Sequence, residues 1–321
     1  MVEKAVVPAV VVESDYSNIY EIYSLAALKK FNFTSIIVSE GIETIGLDIV
    51  LESEAYYAVF TSLGLGDPTD LENGIYLPFM RYSEESKYIE NLSTLILPDS
   101  LKIVGLFGLG GVRLNGTNTL IEIKNISTML MNAFAETKVD EIRINLNATK
   151  TLSKISEYAF SNSTAQSISI GYGPTLIEAS AFSGCTNLTE LNIPLSVVTI
   201  ENGAFDDCES LRVLNLGNAR QIGRISNCSN LEKIDFDVLE EMKDADFYQC
   251  SALTAVIIRS PAVCTMGDSN AFKSTPIASG TGYVYVPAAL VDSYKAATNW
   301  SVYADQIRAI EAYPDICGGA T

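Results

Sequence analysis

The chain of 321 residues contains no histidine. That absence removes Ser-His and Cys-His nucleophile activation, and with them the commonest general base near neutral pH. It also removes a principal zinc ligand, and none of the six cysteines stands in a C-x-x-C spacing. No metal and no other cofactor is expected. Positive charge is scarce: 21 Lys and Arg face 39 Asp and Glu, for a net charge of −18. A surface that tracks phosphates needs clustered cations. Nucleic acid and anionic membrane are therefore excluded as partners, and the acidity reads as a solvated surface. The apolar run near the N-terminus, AVVPAVVV at 5–12, is broken by Pro8. It is too short to span a membrane and lacks the flanks of a signal peptide. Tryptophan occurs once, at Trp300.

What is present is a repeat. AFSGCTNLTELNI begins at Ala181 and AFDDCESLRVLNL at Ala204, so that Phe182 and Phe205, Cys185 and Cys208, and Leu188 and Leu211 are each 23 residues apart. Leu211, Leu231 and Leu253 follow at steps of 20 and 22, as do Cys208, Cys228 and Cys250. Upstream, Phe134, Phe160 and Phe182 carry the Ala-Phe element at steps of 26 and 22. Each unit opens on L-x-x-L-x-L or a relative of it: LSTLIL, VDEIRI, AQSISI, LTELNI, LRVLNL, LEKIDF and LTAVII. A fixed period of this length is the mark of a solenoid.

The physics of one unit follows from its pattern. The last residues of L-x-x-L-x-L alternate, as a short strand does, so Leu191 and Ile193 point in and Asn192 points out. A second apolar pair comes about seven residues later; in the unit at 188–211 it reads as Val198 and Ile200. The Ala-Phe element then supplies a large buried ring on the far side. One such coil cannot bury its own apolar face, whereas stacked coils share a continuous core. The unit at 211–231 has lost its Ala-Phe and keeps only NCSNL, which predicts a narrower coil. The glycine-rich run GLFGLGG at 105–111 lacks the strand–GxGxxG–helix context of a nucleotide site and reads as turns in a coil.

These Ala-Phe-x-x-Cys-x-x-Leu runs, AFSGCTNL at 181–188 and AFDDCESL at 204–211, with DFYQCSAL at 246–253 as a variant, resemble the BspA-type leucine-rich repeat family of bacterial and protozoan surface proteins. The resemblance is strong over about 92–272. It implies an α/β leucine-rich-repeat solenoid: short parallel strands, a mostly irregular or short-helical convex side, and N- and C-terminal caps. Members of that family are usually exported, so a signal removed beforehand, or another route, is expected. In leucine-rich repeats the cysteine position takes Asn or Cys to turn the chain over the core. Cys185, Cys208, Cys228 and Cys250 are accordingly expected as a buried column of free thiols; Cys264 and Cys317 stand off it.

The expected organisation is an N-terminal cap at 1–32, a repeat array at 33–272 and a C-terminal cap at 273–321. The first cap should hold a helix after Ser14 or Asp15, with Ile19, Ile22, Tyr23 and Ala26 on one face. An insertion at about 52–91 breaks the period and is either a candidate binding loop or padding of a coil wall. In the last cap GYVYVP reads as a final strand. The stretch after it reads as helical from Pro287, near N1, through Ile310, with Leu290, Tyr294, Trp300, Tyr303 and Ile307 covering the last coil.

Function belongs to sites rather than to folds. The densest acidic stretch, KIDFDVLEEMKDAD, carries Asp235, Asp237, Glu240, Glu241, Asp244 and Asp246, but register separates them, so no catalytic carboxylate pair is expected. The outward residues of the strands form a stripe on the concave sheet: Thr94 and Ile96, Leu120 and Glu122, Glu141 and Arg143, Ser167 and Ser169, Glu190 and Asn192, Val213 and Asn215, Lys233 and Asp235, Ala255 and Ile257. Its middle is polar, and Ile96, Leu120, Val213 and Ile257 are expected to be exposed. The reading is a non-enzymatic recognition or adhesion protein, a monomer at the cell surface or outside the cell. It is expected to bind a protein or glycan partner through Arg143, Glu190, Asn192, Asn215, Lys233 and Asp235, or through the 52–91 insertion. The resemblance implies host matrix proteins or other cells as ligands. A polysaccharide-acting enzyme on a parallel β-helix, or a structural part of a phage or surface appendage, are the alternatives.

Overall fold

A computed structural model describes residues 89–318, apart from 106–107, 147–151 and 244–246. It also describes four strand segments nearer the N-terminus: Ala5–Val7, Glu21–Ile22, Ser35–Val38 and Thr44–Ile45. Every strand pairing among the described residues is parallel, and each coil gives one strand to each of two ladders. The first ladder runs through Thr94–Ile96, Leu120–Ile123, Glu141–Ile144, Ser167–Ile170, Glu190–Asn192, Val213–Asn215, Lys233–Phe236, Ala255–Ile258, Tyr283–Val286 and Ile307–Ala309, with its hydrogen bonding broken after Thr94–Ile96 and after Glu190–Asn192. The second is built of two-residue strands such as Lys154–Ile155, Leu176–Ile177 and Thr199–Ile200. This is the parallel-strand leucine-rich-repeat solenoid that the repeat predicts, with little helix.

Alternation sets the first ladder. In Glu141–Ile144 and Ser167–Ile170 the isoleucines are buried and the residues between them face out. Ile142 stands opposite Ile121 and Ile168, so the inward rows are continuous from coil to coil. The second wall departs from the sequence reading in one detail. Val197, 1% exposed, enters the core with Ile200, while Val198 lies 37% exposed. Val197 sits in the tight turn after Pro194, where its N–H donates to the Pro194 carbonyl, and that turn breaks the alternation which pointed to Val198.

The third wall explains the Ala-Phe element. The N–H of Phe134 donates to Ala159 O, that of Phe160 to Ala181 O and that of Phe182 to Ala204 O, at 2.7–2.8 Å. The rings of Phe134, Phe160, Phe182 and Phe205 stack in one column, with centroids 5.0–5.4 Å apart and planes within 17°. Each of these four is flanked two residues before and two residues after by a left-handed backbone: Asn132 and Glu136, Tyr158 and Asn162, Ser180 and Gly184, Gly203 and Asp207. Seen from the next cysteine, the missing phenylalanine of the 211–231 unit is Ile225, fully buried. Cys250 Sγ donates to its carbonyl as Cys228 Sγ does to that of Phe205. Beside it Asp206, 7% exposed, accepts from Ser226 N and from Arg224 Nε and Nη2. Phe247 and Phe272 resume the column.

The four repeat cysteines are unpaired and fully buried, each donating to a carbonyl of a preceding coil. Burial pushes the Cys185 thiol up to about 12 and that of Cys208 well above its ordinary value. The Cys228 thiol is raised by its hydrogen bond with Cys250 and by burial. Such thiols are not nucleophiles at neutral pH.

Of the stretch expected to cap the N-terminal end, the two described segments are strands: Ala5–Val7 pairs with Ser35–Val38 and Glu21–Ile22 with Thr44–Ile45. Ile22, expected on a helix face, thus lies in the second ladder, where pairing with Ile45 overrides local helical patterning. The remainder of 1–32, and the 52–91 insertion as far as residue 88, lie outside the described residues; Ile89–Leu92 pairs with Val112–Leu114. At the other end GYVYVP does form a strand, Tyr283–Val286. The chain beyond that strand is not one helix. Ala288–Leu290 is a 3-10 turn after Pro287, Val291–Ala296 a short α-helix, Trp300–Gln306 a 3-10 segment and Ile307–Ala309 a strand paired with Tyr283–Val286. Ala297 in an extended conformation ends the α-helix, left-handed Asn299 leads into the 3-10 segment, and the open sheet edge captures Ile307. Tyr294, Trp300, Tyr303 and Ile307 are buried all the same. Trp300 Nε1 donates to Cys264 O, the Tyr294 hydroxyl accepts from Cys264 N, and Tyr303 packs edge-on against Phe272.

Two outcomes test this core. Phe205→Ala removes a ring packed against Phe182 and should destabilise by about 3–5 kcal/mol in urea denaturation; a loss under about 1 kcal/mol would place the ring outside the core. Iodoacetamide at neutral pH should leave Cys185, Cys208, Cys228 and Cys250 unlabelled in the native protein and label all six cysteines in denaturant. Native labelling of the four would refute the buried column.

Candidate functional site

The open, outward face of the first ladder is built by register. Glu141 and Arg143 stand opposite Ser167 and Ser169, which stand opposite Glu190 and Asn192. Farther along, Val213 and Asn215 stand opposite Lys233 and Asp235, which stand opposite Ala255 and Ile257. Each of the six candidate residues therefore lies on this face, but the six are not one cluster. The hydrogen-bonded ladder is interrupted between Glu190–Asn192 and Val213–Asn215. Arg143, Glu190 and Asn192 belong to the sheet on one side; Asn215, Lys233 and Asp235 belong to the other.

On the first side Arg143 folds back on its own strand. Its Nε and Nη2 donate to Glu141 Oε1 and Oε2 at 2.6 and 2.7 Å. This hydrogen bonding, with the carboxylate's charge, holds the guanidinium above its ordinary pKa. Asn192 Nδ2 donates to Ser169 Oγ at 3.0 Å, and Glu190 is exposed.

At the interruption lies a groove of about 330 Å³. Ile193, Pro194 and Leu195 form one wall; Asn215, Leu216, Gly217 and Asn218 form the other, with Asp235, Asp237 and Arg259 completing it. Gly217 has φ +33, and a Cβ there would meet Leu195 Cδ2 at 2.8 Å, so glycine lets the two walls approach. Arg259 Nε and Nη2 clasp Asp235 Oδ1 and Oδ2 at 3.1 and 2.8 Å, and Asp237 Oδ1 lies 3.7 Å from Nε. Burial lowers the Arg259 pKa, but the bond to Asp235 and the charges of Asp235 and Asp237 more than offset it. Leu146, Tyr172 and Leu195 occupy equivalent positions in three successive coils by the register of their strands, and are 48%, 73% and 63% exposed; of the three, Leu195 lines the groove.

Asn215 and Asp235 line the groove; Arg143, Glu190, Asn192 and Lys233 do not. Sequence reasoning missed Asp237, Arg259, Asn218 and Leu195. For two of them the signal was available: Asp237 and Arg259 fall two residues beyond Asp235 and Ile257, so carrying the outward stripe one more step would have found them, whereas Asn218 and Leu195 lie off that step. The expected exposure of Ile257 is corrected as well. Ala255 and Ile257 face out, yet they are 7% and 0% exposed, because Tyr285 and residues 310–317 lie over them. Ile96 and Val213 are exposed, and Leu120 is half-buried.

The acidic stretch is divided as register requires. Asp235 and Asp237 turn to Arg259, Glu240 pairs with Arg220, and Glu241 accepts from Gln221. Asp244 and Asp246 lie outside the described residues. Among the described residues no group of three or more His, Cys, Asp or Glu is arranged to hold a metal ion, and no helix is long and apolar enough to cross a membrane.

A family model described as the BspA type leucine rich repeat region, in six copies, matches residues 86–170, 127–253 and 175–282. No curated protein sequence matches the chain significantly. Among solved structures the chain is similar to the pneumococcal vaccine antigen PcpA, at 14% identity over 87% of this chain and 66% of that one, with a TM-score of 0.42. It therefore spans slightly less than two thirds of that antigen's chain. It is also similar to a leucine-rich repeat protein from Eubacterium ventriosum, at 15% identity over 79% of this chain and 72% of that one (TM-score 0.32). A third, from Bacteroides ovatus, is 14% identical over 96% of this chain and 92% of that one (TM-score 0.33). With the family model spanning more than half of the sequence, and its Ala-Phe and cysteine positions forming the columns described above, the chain belongs to the BspA-type leucine-rich repeat family.

Proposed function

We propose that this chain is a non-enzymatic recognition protein, working at a cell surface or outside the cell as a monomer. It holds a protein or glycan partner against the open face of the first ladder. The observation that carries the reading is the row of outward side chains along the parallel strands, running into the groove of Asn215, Asp235, Asp237 and Arg259. Extended faces of this kind are the surfaces repeat proteins use for binding. Family membership supports an adhesive role at the surface.

The residues assigned to the contact are Arg143, Glu190, Asn192, Asn215, Lys233 and Asp235, joined by Asp237, Arg259 and Leu195 in the groove and by Tyr172 in the preceding coil. Their mixture of amides, ion pairs and single apolar side chains suits a wet interface with modest affinity. The charged members set encounter rate and selectivity more than strength.

The test begins with arrays of immobilised glycans and extracellular-matrix proteins, followed by kinetics on whichever probe binds. Reversing two side chains that no groove contact depends on, Glu190→Lys with Lys233→Glu, should weaken binding by about tenfold, mostly through the association rate and most clearly at low salt. If the double variant binds as the parent does, and deletion of 61–88 abolishes binding, the insertion is the site and the open face is not. Release of reducing ends from a bound polysaccharide would point instead to chemistry at Asp235 and Asp237.

A further inference from the structure

The stripe of outward residues is open along most of the ladder and closed at one end. After Ile307–Ala309 completes the ladder, the chain turns back over the outward face through the 3-10 turn Ile310–Ala312 and the single helical turn Pro314–Cys317. Beneath it lie Ala255, Ile257 and Tyr285, the outward residues of the last full coil and of the strand after it, at 7%, 0% and 2% exposure. Cys317 is 2% exposed and packs into this patch, as Tyr283 and Ile310 do more loosely. Tyr313 meets Tyr285 edge-on at 5.4 Å. The latch is polar: Arg259 Nη2 donates to the Cys317 carbonyl at 2.5 Å while the same guanidinium is gripped by Asp235.

The contacts are few for a segment of this length. Residues 311–316 are all exposed, and Ile310 and Cys317 are its apolar anchors. The Glu311 carboxylate accepts from Ala288 N at 3.0 Å, and Arg259 supplies the single clamp at the far end. The floor, by contrast, belongs to hydrogen-bonded strands: Ala255 and Ile257 stand opposite Tyr283 and Tyr285. Segments with few buried apolar contacts open locally at a free energy far below that of global unfolding. When this one lifts, the polar face gains a contiguous apolar patch with an arginine at its edge.

We propose that the open face ends in a peptide-binding seat, which the chain fills with its own residues 310–317 and yields to an incoming peptide of the same chemistry. The floor of the seat is Ala255, Ile257 and Tyr285. Arg259 is its carbonyl clamp. The partner is an extended or single-turn peptide that places a small apolar side chain on Ile257 and a backbone carbonyl at Arg259. The proposal deepens the recognition reading above, but its test needs no outside ligand, so the two can fail separately.

Cys317 reports on the seat, because the four column thiols of the same molecule report on the core. In the full-length protein, iodoacetamide labelling with assignment by mass spectrometry should find Cys317 protected. Arg259→Ala removes a charged hydrogen bond and should speed labelling of Cys317 by about tenfold or more, with Cys185, Cys208, Cys228 and Cys250 still protected. In the wild-type chain, an excess of the synthetic peptide IEAYPDI followed by alanine should also speed Cys317 labelling, by displacing the cis segment; a scrambled peptide should not. Three results overturn the proposal. Cys317 is as protected in Arg259→Ala as in the parent; or Cys317 becomes reactive only together with the column thiols, which makes the segment an integral part of the fold; or the matched peptide has no more effect than the scrambled one.

Discussion

A coil of this chain has nothing of its own to fold around. Its two short strands and its Ala-Phe turn present apolar side chains on the inside of a loop only 20 to 26 residues long, and the neighbouring coils supply the other side of every contact. In-register stacking is therefore the constraint on which everything else depends. It is visible as one ring on the next from Phe134 to Phe205 and as N–H to carbonyl bonds between Phe and Ala of successive coils. The cysteines repeat it, each thiol reaching back to a carbonyl of an earlier coil. A buried donor without a partner costs about 1–3 kcal/mol, which gives the cysteine position a reason to hold a small side chain with a weak donor.

Stacking also places the recognition surface. Within one hydrogen-bonded sheet the inward rows run unbroken, so the outward rows do too, and Arg143, Ser169 and Asn192 come into line although 49 residues separate the first from the last. At the break between Asn192 and Val213 the gap becomes the groove. The Arg259 clasp on Asp235 spans adjacent strands beside that gap, and so joins the groove to the covered end of the face.

The periodic part of this architecture was legible in the sequence, because the spacing of Phe182, Phe205, Cys185, Cys208, Leu188 and Leu211 is itself the stacking rule. The alternation in EIRI and SISI was legible for the same reason. What the pattern does not encode is a long-range return of the chain. Ile257 is an outward residue by alternation, and nothing near it in sequence says that residues 310–317 will lie over it. Val197 was misjudged in favour of Val198 because a tight turn precedes the two-residue strand, and so short a strand carries too little alternation to set its own phase. Ile307 read as helix because its local sequence is compatible with one; an unpaired sheet edge decided otherwise. Of the left-handed positions around the phenylalanines, Asn162 and Gly184 are chemically suited to their backbone, whereas Glu136 and Tyr158 adopt it under the demand of their neighbours.

The equal step of 23 residues between the coils of Phe182 and Phe205 has a consequence for how such a molecule changes over time. The upper surface of one of these coils is shaped like the upper surface of the other, so a duplication or loss of one whole unit leaves like facing like, and the joint it creates is one the chain already makes. Length is then inherited in quanta. Each added unit carries one more outward pair, so the reach of the open face grows by about 4.8 Å per event, the spacing of neighbouring strands. A slip of one residue in the pairing of a strand would turn that strand's inward row outward, whereas the turns absorb differences of a few residues, as coils of 20 to 26 residues do here. The stacking rule thus constrains the strands and leaves the turns between them, and the outward side chains, free to vary while the register holds.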